Sequence, residues 1–169
     1  MNLQTNFSDV KALEAFITMT TNEGGTQAVD RAVFDLGEML TNSRAYELVV
    51  KQMQAESSMA AILSERYVGS KHDLEALLQY PQNSFGYIYA NTMNELGLDL
   101  NYIPMVNIDS DTSYIEYRWR QTHDIWHVIT GFDISEIGEI GLQAFYLAQF
   151  GLPFSGLIVA SGLVGSILY

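Results

Sequence analysis

The stretch Arg118-Trp-Arg-Gln-Thr-His-Asp-Ile-Trp-His127, continuing Val128-Ile-Thr-Gly-Phe-Asp-Ile-Ser-Glu-Ile-Gly-Glu139, decides how this chain is read. At about 100° per residue on a helix, His123, His127 and Asp124 project at relative angles of about 0°, 40° and 100°. Three potential metal ligands therefore share one helical face. Gly131 is placed to end that helix in the left-handed conformation, and Asp133 followed three residues later by Glu136 resembles a capping box opening the next. The second helix runs back alongside the first, and Glu139, one turn inside it, can face the histidine pair.

Two imidazoles and two carboxylates make a nitrogen/oxygen site suited to a divalent ion. Cysteine is absent, so a thiolate site, a cysteine nucleophile and a disulfide frame are all excluded. Zinc is favoured; two histidines with a carboxylate also describe non-haem iron. Two neutral imidazoles count against magnesium, which prefers an oxygen-rich octahedron. Each residue has a plainer reading beside this one. Histidines at i, i+4 occur on ordinary helix surfaces, yet the chain has only three histidines and two stand here beside an Asp. Glu136 reads better as a cap than as a ligand, and by pattern alone Glu139 is a ligand only on even odds. Trp119 and Trp126, seven residues apart, read as core.

The surrounding chain has 169 residues, enough for one domain spanning 1–169. Hydrophobic residues at 48% fill a core, and charged residues at 17% fall below the usual share, so disorder is excluded. Twenty acids against eight basic residues leave a net charge of −12, which argues against nucleic acid as a partner because phosphate binding relies on Lys and Arg. Residues 1–11 show neither a secretion signal nor an Arg-rich presequence, which makes a cytoplasmic location the expectation. Apolar residues recur at helical spacing: Leu13, Phe16 and Ile17; Val29, Val33, Leu36 and Leu40; Tyr46, Val49, Val50 and Met53; Met59, Ile62 and Leu63. The fold class is all-α. Turns are expected at 23–25, 41–43, 80–83 and 101–104, with 103–108 the one candidate extended piece.

Residues 140–169 carry no charge. Gly151, Pro153, Gly156, Gly162 and Gly165 interrupt this stretch, so two buried or membrane-touching helices split near Gly151-Leu152-Pro153 fit better than a membrane span. The chain ends inside this apolar run without a stop signal, which predicts a C-terminal truncation and an exposed face that promotes homo-oligomers.

The spacing His123-Asp124-Ile125-Trp126-His127, eleven residues, then Glu139 resembles the signature of the ubiquinone (coenzyme Q) biosynthesis protein 4 family. Family-like stretches also stand at Leu36-Gly-Glu-Met-Leu-Thr41, Ile62-Leu-Ser-Glu-Arg66, Tyr80-Pro-Gln-Asn-Ser-Phe-Gly86 with Tyr89, Tyr114 with Arg118, and Gly151-Leu-Pro153. The resemblance covers roughly residues 28–165. It implies an all-helical protein peripheral to the membrane surface, with His123, Asp124, His127 and Glu139 as metal ligands between two consecutive helices and an apolar groove for a polyprenyl lipid or quinone precursor. It further implies C1 decarboxylation of a polyprenyl-hydroxybenzoate, in some members oxidative, with other quinone-biosynthesis proteins as partners. Family members continue past the point where this chain stops, in keeping with the expected truncation. Arg118 or Arg120 would pair with the acidic head group, although a surface ion pair with Glu116 is the competing role for Arg120.

Two other functions fit the same residues. A non-catalytic lipid carrier or scaffold would bind the precursor without turnover. A metal-dependent isoprenoid-phosphate phosphohydrolase would also use a His-Asp pair, and His72-Asp73 supplies a second one, although it reads as an exposed helix start.

Overall fold

A computed structural model of the chain describes residues 7–98 and 107–168. Among these residues the helices run α1 (Phe7–Thr21), α2 (Thr26–Thr41), α3 (Arg44–Ala55), α4 (Ser57–Glu65), α5 (Leu74–Leu77), α6 (Phe85–Leu96), α7 (Asp111–Thr130), α8 (Glu136–Phe150) and α9 (Pro153–Leu168), with no strand. The all-α, single-domain reading holds. Turns fall between helices at 23–25, 42–43 and 80–83 where the breakers stand, Thr41 closing α2. The turn expected at 101–104 and most of the extended piece at 103–108 lie outside the described residues.

Local chemistry sets the helix boundaries. Ser43, Ser84 and Ser110 cap α3, α6 and α7 by accepting a backbone N–H three residues on, each cap worth about 1 kcal/mol. Between α7 and α8, Gly131 takes φ +77°, a conformation that only glycine adopts without a Cβ penalty. The cap of α8 differs from expectation: Ser135, not Asp133, receives the Gly138 N–H at 3.1 Å, and Asp133 instead accepts the Ser135 N–H at 3.0 Å. The reason is a close approach. A Cβ on Gly138 would stand 2.1 Å from the Asp133 carbonyl oxygen, so a bare glycine at 138 lets the connection fold tightly under the first turn of α8.

The main core cluster includes Leu36, Tyr46, Val50, Tyr114, Leu142 and Phe154, with Tyr89, Ala90 and Met93 of α6 buried outside it. The longest helix, α7, touches α2, α3, α4, α6 and α8, and Trp119 and Trp126 pack against the core as their shared face predicts. The uncharged C-terminal stretch divides at Gly151-Leu152-Pro153 into α8 and α9. No helix among the described residues is long and apolar enough to cross a membrane.

On α1 the expected face is turned. Leu13 and Ile17 are exposed, while Ala15 is buried and Ala12 and Met19 pack against the core. Helix α1 lies against α2 and α9, close enough that a Cβ on Gly165 would stand 3.1 Å from the Thr20 carbonyl. That approach leaves room for Ala12 and Ala15, and Leu13 and Ile17 point outward while Phe16 is half-buried. Ile62 on α4 is likewise exposed, with Leu63 taking the core position.

The tight connection yields a direct prediction. Gly138→Ala should destabilise the chain by at least ~2 kcal/mol, because its new methyl group meets backbone rather than a movable side chain. Urea unfolding monitored by circular dichroism measures this; an unchanged midpoint would show that the α7–α8 connection is not sterically closed.

Candidate metal centre

One helical turn separates His123 from His127 on α7, and Gly131 returns the chain so that Glu139 on α8 meets both. His123 Nε2 lies 3.1 Å from His127 Nε2 and 3.2 Å from Glu139 Oε2, and His127 Nε2 lies 3.1 Å from Glu139 Oε1. Atoms sharing an ion at ~2.0–2.2 Å stand about 2.9–3.5 Å apart for bond angles between square and tetrahedral. The three contacts match the edges of such a polyhedron. His127 Nδ1 donates to the Phe132 carbonyl at 2.9 Å, which fixes the proton on that nitrogen and leaves the Nε2 lone pair for the cluster. His123 Nδ1, Trp119 Nε1 and the Tyr146 hydroxyl are buried without a hydrogen-bond partner among the described residues. These orphaned polar atoms belong to rings grouped around His123, at 5.8 Å for Trp119 and 6.2 Å for Tyr146. The donor set and its surroundings fit a divalent cation.

The electrostatics agree. Burial works to raise the Glu139 carboxyl, but hydrogen bonds and charge from His123 and His127 outweigh it and hold the group at about 2. For His127, burial favours the neutral ring, yet Glu139, the Phe132 carbonyl and the Asp124 charge together raise it above its ordinary value. Glu139 therefore stays ionised across the neutral range, and its stabilising contribution fades only as pH falls toward 2. The raised imidazole marks a place where positive charge is favoured. Burial, then Glu139 and Asp124, push the Tyr146 hydroxyl upward, keeping it a neutral donor.

The centre stands at the wall of a cavity of about 1430 Å³ bordered by α1, α2, α7, α8 and α9. Its walls include Val33, Phe34, Ile140, Phe154 and Ile158, with small residues such as Gly162 on α9. Asp124 lines this cavity but is not part of the close cluster of His123, His127 and Glu139. Glu136 opens α8, exposed at the cavity rim and outside the cluster.

The two arginines part company, as residues roughly 200° apart on a helix must. Arg120 lines the cavity, its Nε and Nη2 donating to Glu116 Oε1 at 3.0 and 2.8 Å. The Tyr46 hydroxyl donates to the other Glu116 oxygen at 2.7 Å, and the guanidinium sits over the Phe34 ring. The anticipated pair with Glu116 exists, but it is buried rather than on the surface. Arg118 turns to Gln121 and the Tyr67 ring, away from the cavity wall. His72-Asp73 is the helix start that the sequence suggests: Asp73 caps α5, and His72 Nδ1 meets the Tyr89 hydroxyl at 3.1 Å.

Some site residues escape a reading of the sequence. Gln143 and Tyr146 follow Glu139 by four and seven residues, so they share its face, and both are buried. That spacing is visible in the sequence once Glu139 is taken as a ligand. Glu116 and Tyr46 gave no such signal, because seventy residues separate them.

Comparison with known proteins places this geometry in a family. The family model described as "Coenzyme Q (ubiquinone) biosynthesis protein Coq4" matches residues 8–167. The ubiquinone biosynthesis protein COQ4, mitochondrial, of Komagataella phaffii is 31% identical over 150 residues, covering 86% of this chain and 47% of that protein. Its counterpart in Phaeosphaeria nodorum is 34% identical over 98 residues, covering 57% of this chain and 34% of that protein. The chain thus spans between a third and a half of these relatives. A Nostoc punctiforme crystal structure, described as assigned to ubiquinone biosynthesis, superposes with a TM-score of 0.81 at 33% identity, covering 97% of this chain and 76% of that one. Matched over nearly its whole length, the chain belongs to the Coq4 family of coenzyme Q (ubiquinone) biosynthesis proteins.

Proposed function

We propose that the chain binds a divalent metal, zinc before iron or magnesium, and removes the ring carboxyl of a polyprenylated hydroxybenzoate. His123, His127 and Glu139 would hold the ion, with Asp124 the further carboxylate on the same cavity wall. The observation that carries this reading is the convergence of two imidazole Nε2 atoms and one carboxylate within 3.2 Å beside a large, mainly apolar cavity.

The ion, when bound, supplies a Lewis acid for a carboxylate or phenolate oxygen. The remaining work falls to the chain. Arg120 orients the ring carboxylate, and because Glu116 already compensates its charge, it does not hold the leaving group too tightly. Phe34, Phe154 and Ile158 give the ring an apolar wall and suit an apolar product such as carbon dioxide. The bond between ring carbon and carboxyl breaks, its electron pair stays on the ring, and a proton from water takes the vacated position. The tail occupies the part of the cavity lined by Ile140, Ile158, Gly162 and Gly165. Exposed apolar side chains nearby, Ile134 and Ile137 at the rim and Ile167 and Leu168 on α9, serve contact with a membrane surface, other quinone-biosynthesis proteins or a second copy.

His127→Ala should lose bound metal and lower release of labelled carbon dioxide from a carboxyl-labelled prenyl-hydroxybenzoate at least ~100-fold, since even outer partners of a metal site cost 10–100-fold. Retained turnover in the metal-free variant would end the lyase reading. Stoichiometric lipid binding without turnover in the wild type would favour the carrier, and phosphate release from a prenyl phosphate the hydrolase. Metal affinity should also fall as pH drops from about 7.5 to 5.5. Protons compete for both imidazoles, and His127 starts above its ordinary ~6.5. Competition with a chromophoric chelator across that range measures it, and a flat profile would contradict imidazole ligation.

A further inference from the structure

We propose that Gln143 recognises an oxygen substituent on the aromatic head group, and that Ser155 sets the orientation in which it does so; this rests on the reading that such a head group lies beside Glu139 and His123. Gln143 follows Glu139 by one turn on α8 and lines the same cavity as Glu139 and His123. It is only 4% exposed. Ser155, near the start of α9 and 0% exposed, donates its hydroxyl proton to Gln143 Oε1 at 2.8 Å.

The consequence follows from the chemistry of an amide. With its carbonyl oxygen engaged, the carboxamide is locked, and its two N–H donors have no acceptor among the described residues. These donors open on the cavity, and a ligand that displaces water from them without offering an acceptor leaves them stranded at a cost. An apolar tail offers no lone pair to relieve that cost, whereas a ring hydroxyl, ether or carboxylate oxygen does. The amide therefore selects for the oxygenated end of the ligand and holds it next to the cluster. A site built to hydrogen-bond an oxygen discriminates strongly against an analogue that lacks it, because its own polar group is then stranded.

Zinc-loaded protein, titrated by tryptophan fluorescence with 3-geranyl-4-hydroxybenzoate and with geranylbenzene, tests this. Gln143→Met should weaken the oxygenated probe about tenfold or more, equivalent to ~1.4 kcal/mol, while geranylbenzene stays within about twofold and zinc affinity is unchanged. Gln143→Glu keeps an acceptor for Ser155 but loses the donor, so it should show the same selective loss if Gln143→Met proves poorly folded. Unaltered affinity for both probes in these variants, or equal loss of both, would overturn the proposal. His127→Ala separates the two readings. If it keeps the oxygenated probe while the Gln143 variants lose it, the metal reading fails and Gln143 stands; the reverse pattern removes Gln143 and leaves the metal reading intact.

Discussion

Two imidazole nitrogens and a carboxylate share a volume hardly larger than one ion, and that crowding is the constraint on which the rest of the structure depends. Nitrogen lone pairs 3.1 Å apart repel unless something positive lies between them or on one of them. Glu139 supplies negative charge against both rings, and the His127 ring is raised in response. The pocket is thus electrostatically prepared for a cation. A proton satisfies it partially; a divalent ion would satisfy all three groups together.

Holding those groups in place needs rigid elements on two sides. Helix α7 is fixed by contacts with five other helices; Gly131 takes the left-handed conformation that turns the chain back, and Gly138 lacks the side chain that would strike the Asp133 backbone. The same helix carries Arg120 and Glu116 into the interior. A buried ion pair contributes little to net stability, since desolvation offsets much of its attraction. Its value here is local: with Tyr46 as a further donor, it presents a charge-compensated cation to the cavity at little risk of an unpaired buried charge. The cavity thus has a charged wall at the cluster and a mainly apolar remainder in which Asp30, Ser161 and Ser166 also take part.

The helical period made much of this legible. His123 and His127 fall on one face by their spacing, the Gly131 stop is a matter of residue type, and Glu139 follows one turn into the return. The remainder depended on partners distant in sequence. Leu13 and Ile17 have helical spacing, but period alone does not say which stripe faces in; close packing on α9 at Gly165 decided that. Asp133 and Ser135 are both good caps, and the choice fell to Ser135 because of the backbone approach at Gly138. Arg118 and Arg120 are alike in type, and Glu116 and Tyr46 separated their fates. Asp124 lies about 100° from His123 on the helix, enough to place it on the cavity wall without joining the three-residue cluster.

X-ray absorption at the zinc edge of the metal-loaded protein tests the central point most directly. Two imidazole nitrogens and at least one carboxylate oxygen at about 2.0–2.2 Å are expected. A shell of water oxygens without imidazole scattering would contradict a metal centre built from His123, His127 and Glu139.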